Sequence, residues 1–192
     1  MKKVAVLIYN QYCNFEISVA LEMLAMAEKP FVIIARTMNP VCSEEGLTVL
    51  PKMTIDEVDI NDFDSLLLPG ALDISEIIKD VKVLNFIKSF HENELIIGAI
   101  SISPVLLLKS GVLKNKKFMA GVNREELLEE GFSPEDLKNM ISWYDNLINP
   151  IQAGYIQAGN IITSVSYNFI KWAMAIGRAI GIEVYPKSFG LE

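Results

Sequence analysis

The sequence predicts an α/β fold, a mostly parallel sheet with helices on both faces. Three observations carry that prediction. Lys3–Tyr9 (KVAVLIY), Phe31–Arg36 (FVIIAR), Asp64–Leu68 (DSLLL) and Leu95–Ile100 (LIIGAI) are continuous apolar runs, as strands covered on both faces are. Segments with helical apolar spacing separate them, so strands and helices alternate along the chain. The first strand, helix and strand together have the length of one βαβ unit.

In chain order, Lys3–Tyr9 is the first strand and Asn10–Asn14 the loop after it. Phe15–Glu28 carries Phe15, Val19, Leu21 and Leu24 among small residues, which suits a helix lying on a sheet, and Pro30 ends it. The strand Phe31–Arg36 follows. Thr37–Asp59 is turn-rich, with strand-like pieces around Val41–Cys42, Leu47–Leu50 and Lys52–Ile55, and reads as a small β excursion at a sheet edge. Asp64–Leu68 returns to the sheet and stops at Pro69-Gly70-Ala71. Ser75–Phe90 is predicted as one helix. After the strand Leu95–Ile100 comes an apolar helix with Ser103 as its N-cap and Pro104 at its first position, where no N–H is needed.

A short strand is expected at Phe118–Ala120, then an acidic helix over Arg124–Glu130 closed by Gly131. Ser133-Pro134-Glu135-Asp136 has the pattern of a capping box opening another helix. Ile156–Val165 is a hairpin turning at Gly159-Asn160, and Tyr167–Gly181 is the last helix. Met23, Met26 and Met174 fall at core spacing on their helices. No repeat or low-complexity segment interrupts this order, and residues 1–192 read as a single domain.

Composition narrows the function classes. The chain is 51% hydrophobic and 21% charged, which is globular and not disordered. A net charge of −7 with no basic stripe argues against nucleic acid as partner. No run reaches membrane-spanning length, and Met1-Lys2-Lys3 leads straight into a strand without a leader pattern, so the cytoplasm is the expected compartment. Cys13 and Cys42 are too few for a disulfide framework and lack metal-site spacing, and one histidine leaves little for a metal site; neither metal nor cofactor is expected.

The chain is organised around Leu95–Val112 (LIIGAISISPVLLLKSGV). Six strand residues run into Ser101 without a polar spacer, and Ala99 and Ser103, two positions to either side, are small. A strand that reverses sharply into a helix has no room there for large side chains, which is the pattern of a nucleophile elbow. An ordinary strand–loop–helix junction is the alternative. In the elbow reading Ser101 stands at the C-terminal end of a parallel strand, where open α/β sheets place their sites.

With these residues in hand, the chain resembles the ThiJ/PfpI (DJ-one/PfpI) family of the class I glutamine-amidotransferase-like superfamily. The resemblance lies in the opening strand followed by Phe15-Glu16, in Asp64–Ala71 (DSLLLPGA), in Gly98–Gly111 (GAISISPVLLLKSG) and in Gly159–Val165 (GNIITSV). It implies a flavodoxin-like three-layer sandwich, commonly dimeric, and here a homodimer. It also implies a site in which an elbow Cys is hydrogen-bonded by a Glu at the start of the first helix, with backbone N–H groups as oxyanion hole. Carried across, the elbow position is Ser101 and the acid Glu16; the donors are the N–H groups of Ile102 and of Gly70 or Ala71.

The chain departs from that pattern where chemistry matters. The family Cys is Ser101, the following His is Ile102, and a second His position falls around Ser142-Trp143. The only histidine, His91, precedes the elbow strand and so belongs to its opposite end. A thiolate is strongly nucleophilic near neutral pH, whereas a serine hydroxyl needs a base, and Glu16 serves only if burial raises its pKa. Two readings follow: a pseudoenzyme that keeps a small polar pocket around Glu16 and Ser101 for an unidentified small molecule, or a hydrolase, amidase or lyase that acts on a small carbonyl compound through Ser101 assisted by Glu16. Cys13, at the mouth of the same site, is either a small buried filler or a relocated thiol; Trp143 is a further pocket residue, and Asp145 and Asn146 follow it.

Overall fold

The computed structural model describes residues 1–192. Its sheet strands are β1 (Lys3–Leu7), β2 (Phe31–Ala35), β5 (Met53–Thr54), β6 (Phe63–Leu68), β7 (Ile96–Ile100), β10 (Ile156–Ala158) and β11 (Ile161–Ser164). Two short pairs stand apart, β3 (Val41–Cys42) with β4 (Thr48–Val49) and β8 (Phe118–Met119) with β9 (Met140–Ile141). The main sheet runs in the order β10-β11-β7-β6-β1-β2-β5, parallel throughout except for the β10–β11 hairpin. Chain order reverses between β1 and β6, the crevice in which such sheets place ligands. Helix α1 (Asn14–Met26) packs on α7 (Phe169–Ala179), and α2 (Val81–Glu92) on α3 (Pro104–Lys109). The flavodoxin-like α/β class read from the sequence is the fold observed.

The continuous apolar runs are buried as that class requires: Val4, Leu7, Leu66, Leu68, Ile97 and Ile100 are fully inaccessible. The final helix seals one face with Trp172, whose indole N–H donates to the Ile162 carbonyl at 3.3 Å. Met23 and Met174 lie in the core, whereas Met26 points to solvent. The excursion between β2 and β6 is a β3–β4 hairpin, and β5 extends the main sheet edge beside β2. The hairpin turn at Gly159 and the capping box of Ser133 and Asp136 stand where the sequence puts them.

Four local readings need correction. Ser75–Phe90 is not one helix: a 3-10 turn at Ile77–Lys79 comes first, and the Asp80 carboxylate, accepting from the N–H of Lys82 and Val83, starts α2 afresh. Tyr167 stands in a 3-10 turn ahead of α7, not in that helix. A helix α6 (Trp143–Ile148) opens with its own capping box, Ser142 and Asp145, close to where the family's second His was expected.

Ser103, fourth, is helical in backbone and caps nothing. Its hydroxyl instead accepts from the Ile100 N–H at 2.9 Å and lies 2.8 Å from both the Leu68 and Ile100 carbonyls, tying the ends of β6 and β7 together. Deleting it leaves a buried N–H and a buried carbonyl short of partners, which costs about 1–3 kcal/mol. Ser103→Ala is therefore expected to lower unfolding free energy in urea by roughly 2 kcal/mol. A loss below about 0.5 kcal/mol would show that the backbone groups find other partners.

Candidate functional site

The site is built where β1, β6 and β7 end. Ser101 follows β7 with φ at 63°, the left-handed region that a side-chain-bearing residue enters only under constraint. The constraint is visible on both sides. Its N–H donates to the Ser164 carbonyl of β11 at 2.9 Å, and its own carbonyl accepts from the Gly121 N–H at 2.6 Å. A left-handed residue between β7 and α3 fits the sharp strand-to-helix reversal expected from the sequence.

Glu16, in the first turn of α1, is 1% exposed. Its Oε2 accepts the Gly70 N–H at 2.6 Å, and the Ser101 hydroxyl faces the same carboxyl. Glycine at position 70 is a steric necessity. A methyl there would lie 2.6 Å from Ser101 Cβ, 2.7 Å from Glu16 Oε2 and 2.8 Å from Ser101 Oγ. Gly121 closes from the other side, where a methyl would come within 3.0 Å of Ser101 Cα.

Burial pushes the Glu16 carboxyl up to about 7, against the Gly70 N–H and the Ser101 hydroxyl, which both favour its charged form; Glu44 and Glu45 add to the rise. The acid is thus half neutral near physiological pH. No lysine or arginine forms an ion pair with Glu16, Glu44 or Glu45.

Of the expected oxyanion donors, the Gly70 N–H is spent on Glu16. The N–H groups of Ala71 and Ile102 have no acceptor within the protein and remain free for a ligand oxygen. Ala71 and Gly70 are held in place by the chain from Tyr12 to Cys13, since the Cys13 N–H donates to the Gly70 carbonyl at 2.8 Å. Trp143 lies one step from the elbow: its N–H donates to Val122, next to Gly121, and its ring meets Tyr167 edge-to-face at 5.1 Å. Asp145 is engaged elsewhere, as cap of α6 and partner of Arg124 at 2.7 Å. Asn146 is buried, bonded to the Tyr167 hydroxyl and the Ile151 N–H.

Cys13 stands at the N-cap of α1, 6% exposed, and its thiol donates to Glu44 Oε2 at 3.0 Å. Burial, the bond to Glu44 and the charge of Glu16 all push this thiol far above its ordinary pKa. It keeps its proton at neutral pH, which removes the relocated thiolate. With iodoacetamide at pH 7.5, Cys13 is expected to label at least tenfold more slowly than the exposed Cys42. Equal rates by mass mapping would restore the reactive reading.

Sequence reasoning missed Glu44, Glu45, Gly121 and Tyr9. Glu45 supplies what Cys13 lacks as a cap, accepting the N–H groups of Asn14 and Phe15 at 3.2 and 3.0 Å. Tyr9 is buried, with its hydroxyl on the Pro69 carbonyl and its pKa raised, first by burial and then by Glu16. Nothing in local spacing marks these residues. His91 is at the far end of β7, bonded to Asn160. No three His, Cys, Asp or Glu side chains gather in a metal-binding arrangement, and no helix is long and apolar enough to cross a membrane.

Known proteins are similar to this chain in sequence and architecture. The DJ-1/PfpI family model matches residues 2–178. A Bacillus subtilis protein named "Putative cysteine protease YraA" is 28% identical over 145 residues, 73% of this chain and 85% of its own. Among solved structures, a DJ-1 superfamily protein, Atu0886 from Agrobacterium tumefaciens, superposes with a TM-score of 0.80 at 18% identity, covering 98% of this chain and 94% of that one. A two-domain protein from Anabaena variabilis, with DJ-1/ThiJ/PfpI-like and ferritin-like domains, has a TM-score of 0.76 at 20% identity. The chain spans 48% of that protein. At these identities the solved structures speak for the fold alone.

Proposed function

This chain belongs to the DJ-1/PfpI family, and from that premise we propose that it has given up cysteine chemistry at the elbow and binds a small, uncharged carbonyl compound there without forming a covalent bond. The observation that carries this reading is the pairing of Ser101 with Glu16 alone. The hydroxyl faces a buried carboxyl already engaged by the Gly70 N–H, and no imidazole stands near. A serine so placed has no strong base to take its proton. The same geometry suits binding. The free N–H groups of Ala71 and Ile102 donate to a carbonyl oxygen, and Glu16 holds or releases a proton near pH 7. The carboxylates of Glu16, Glu44 and Glu45 disfavour anionic ligands.

A second reading has its own support. Ser101 is held at φ 63°, and a carboxyl with a pKa of about 7 is tuned for proton transfer. On this reading Ser101 attacks a small ester, amide or aldehyde with Glu16 as base. A homodimer in the cytoplasm is the setting we propose for either.

One pair of measurements separates the two. Small amides and aldehydes are expected to raise the melting temperature saturably, with the effect kept in Ser101→Ala and lost in Glu16→Leu. Incubation with p-nitrophenyl acetate is expected to leave the intact mass unchanged. An acyl adduct on Ser101, absent from Ser101→Ala, overturns the binding reading in favour of the hydrolase.

A further inference from the structure

One cleft of the molecule stands apart from Ser101. It has a volume of about 560 Å³, within the range of small-molecule sites, and none of Glu16, Gly70, Ser101, Ile102 or Trp143 lines it. It opens at the carboxyl ends of β1 and β2 and reaches the loop between β6 and α2, so it spans the crevice where strand order reverses.

Its lining is mixed: Ile8, Ala35, Val41, Ile77 and Val83 stand among a larger number of polar and charged residues. Asn10, Gln11 and Asn39 line it, and none of their side-chain amides makes a hydrogen bond within the protein. Gln11 is held at φ 60°, with its N–H on the Cys42 carbonyl at 2.7 Å and its carbonyl accepting from Leu72 at 3.0 Å. These two bonds hold the Gln11 backbone in its left-handed conformation at the rim of the cleft.

Charge removes one class of ligand. Asp73, Glu76 and Asp80 outnumber Arg36, whose Nε is committed to Asp80 at 2.9 Å. Asp73 and Asp80 accept from backbone N–H groups, so both remain ionised. A phosphate or carboxylate entering the cleft meets net negative charge. Amides present a donor beside an acceptor and pair best with a neutral group of the same kind.

We propose that this cleft is a second binding site, for an uncharged small molecule that carries an amide-type donor–acceptor edge. That chemistry is shared by nucleosides and by aromatic carboxamides. Tyr9 lines the cleft, and its hydroxyl donates to the Pro69 carbonyl, next to Gly70 of the Ser101 site.

The test is titration calorimetry of the full chain with uridine, nicotinamide and uridine 5′-monophosphate. Uridine or nicotinamide is expected to bind saturably, and which of them does identifies the source of the edge. The monophosphate is expected to bind at least roughly tenfold more weakly than uridine if uridine binds. Gln11→Gly suits its positive φ and so keeps the fold, and it should weaken binding about tenfold; Ile77→Trp should do the same by filling the cleft. Four results would each overturn the proposal: neither neutral probe saturating by about 10 mM, a monophosphate that binds as well as a nucleoside that itself saturates, unaltered affinity in folded Gln11→Gly, or unaltered affinity in folded Ile77→Trp.

Discussion

Ser101→Cys is expected to give a thiol that alkylates on the order of tenfold faster than free cysteine at pH 7. A free thiol has a pKa of about 8.5, so only a few per cent is thiolate at that pH. At the elbow the thiol would meet Glu16, whose carboxyl is half protonated near 7, and the unengaged N–H groups of Ala71 and Ile102. A neutral carboxylic acid and two amide donors all stabilise a thiolate. The pair would share one proton, with a first apparent pKa about 2 units below a free thiol. The Glu44 and Glu45 charges work against this, but Glu45 is already spent on the α1 N-terminus. Cys42, exposed on the hairpin, is the internal standard, and peroxide should oxidise the new thiol first. Alkylation that follows a simple titration at or above pH 8.5 would show that the scaffold no longer activates sulfur.

Glu16→Gln should change how stability depends on pH by about 3 kcal/mol. The folded-state pKa of Glu16 is raised to about 7 from an ordinary value of 4.5. A raised pKa means the folded state holds its proton more tightly than the unfolded state does. The stabilisation is fully present below about pH 4.5 and disappears as pH rises through about 7. Glutamine can still accept the Gly70 N–H but does not titrate. The variant should therefore gain stability relative to the parent between pH 4.5 and 8, with most of the gain complete by pH 8. Urea unfolding at several pH values reads the difference, in which other titrating groups cancel. A difference that stays flat within about 0.5 kcal/mol across that range would mean that Glu16 is ionised as easily folded as unfolded.

Much of this molecule could be read in the sequence because the signals are local. Strands buried on both faces are continuous apolar runs whatever lies around them, which is why β1, β2, β6 and β7 fall within a residue or two of where they were placed. At Ser101 the small flanking residues Ala99 and Ser103 left an elbow and an ordinary strand–loop–helix junction both open, and the family resemblance, not the spacing, pointed to the elbow. Glu16 came from family resemblance, and the carboxyl does face the elbow. What was missed depends on distant docking. Asp80 splits a plausible helix because Arg36 and two N–H groups meet its carboxylate. Ser103 looks like a cap next to Pro104, yet the Leu68 carbonyl, far back in the chain, claims its hydroxyl. Glu44 and Glu45 sit in a polar turn like any other until the hairpin folds onto α1.

The elbow draws on residues from Glu16 to Ser164, and each contact spans a long stretch of chain. Contacts so distant in sequence form late, after many loops have closed. During synthesis the N-terminal strands emerge first, but Ser101 cannot be held in its left-handed conformation until the β10–β11 hairpin arrives and accepts its N–H. The geometry at Ser101 is thus a mark of a finished chain. A copy cut short before β11 keeps the serine and the glutamate but lacks the Ser164 carbonyl that accepts the Ser101 N–H.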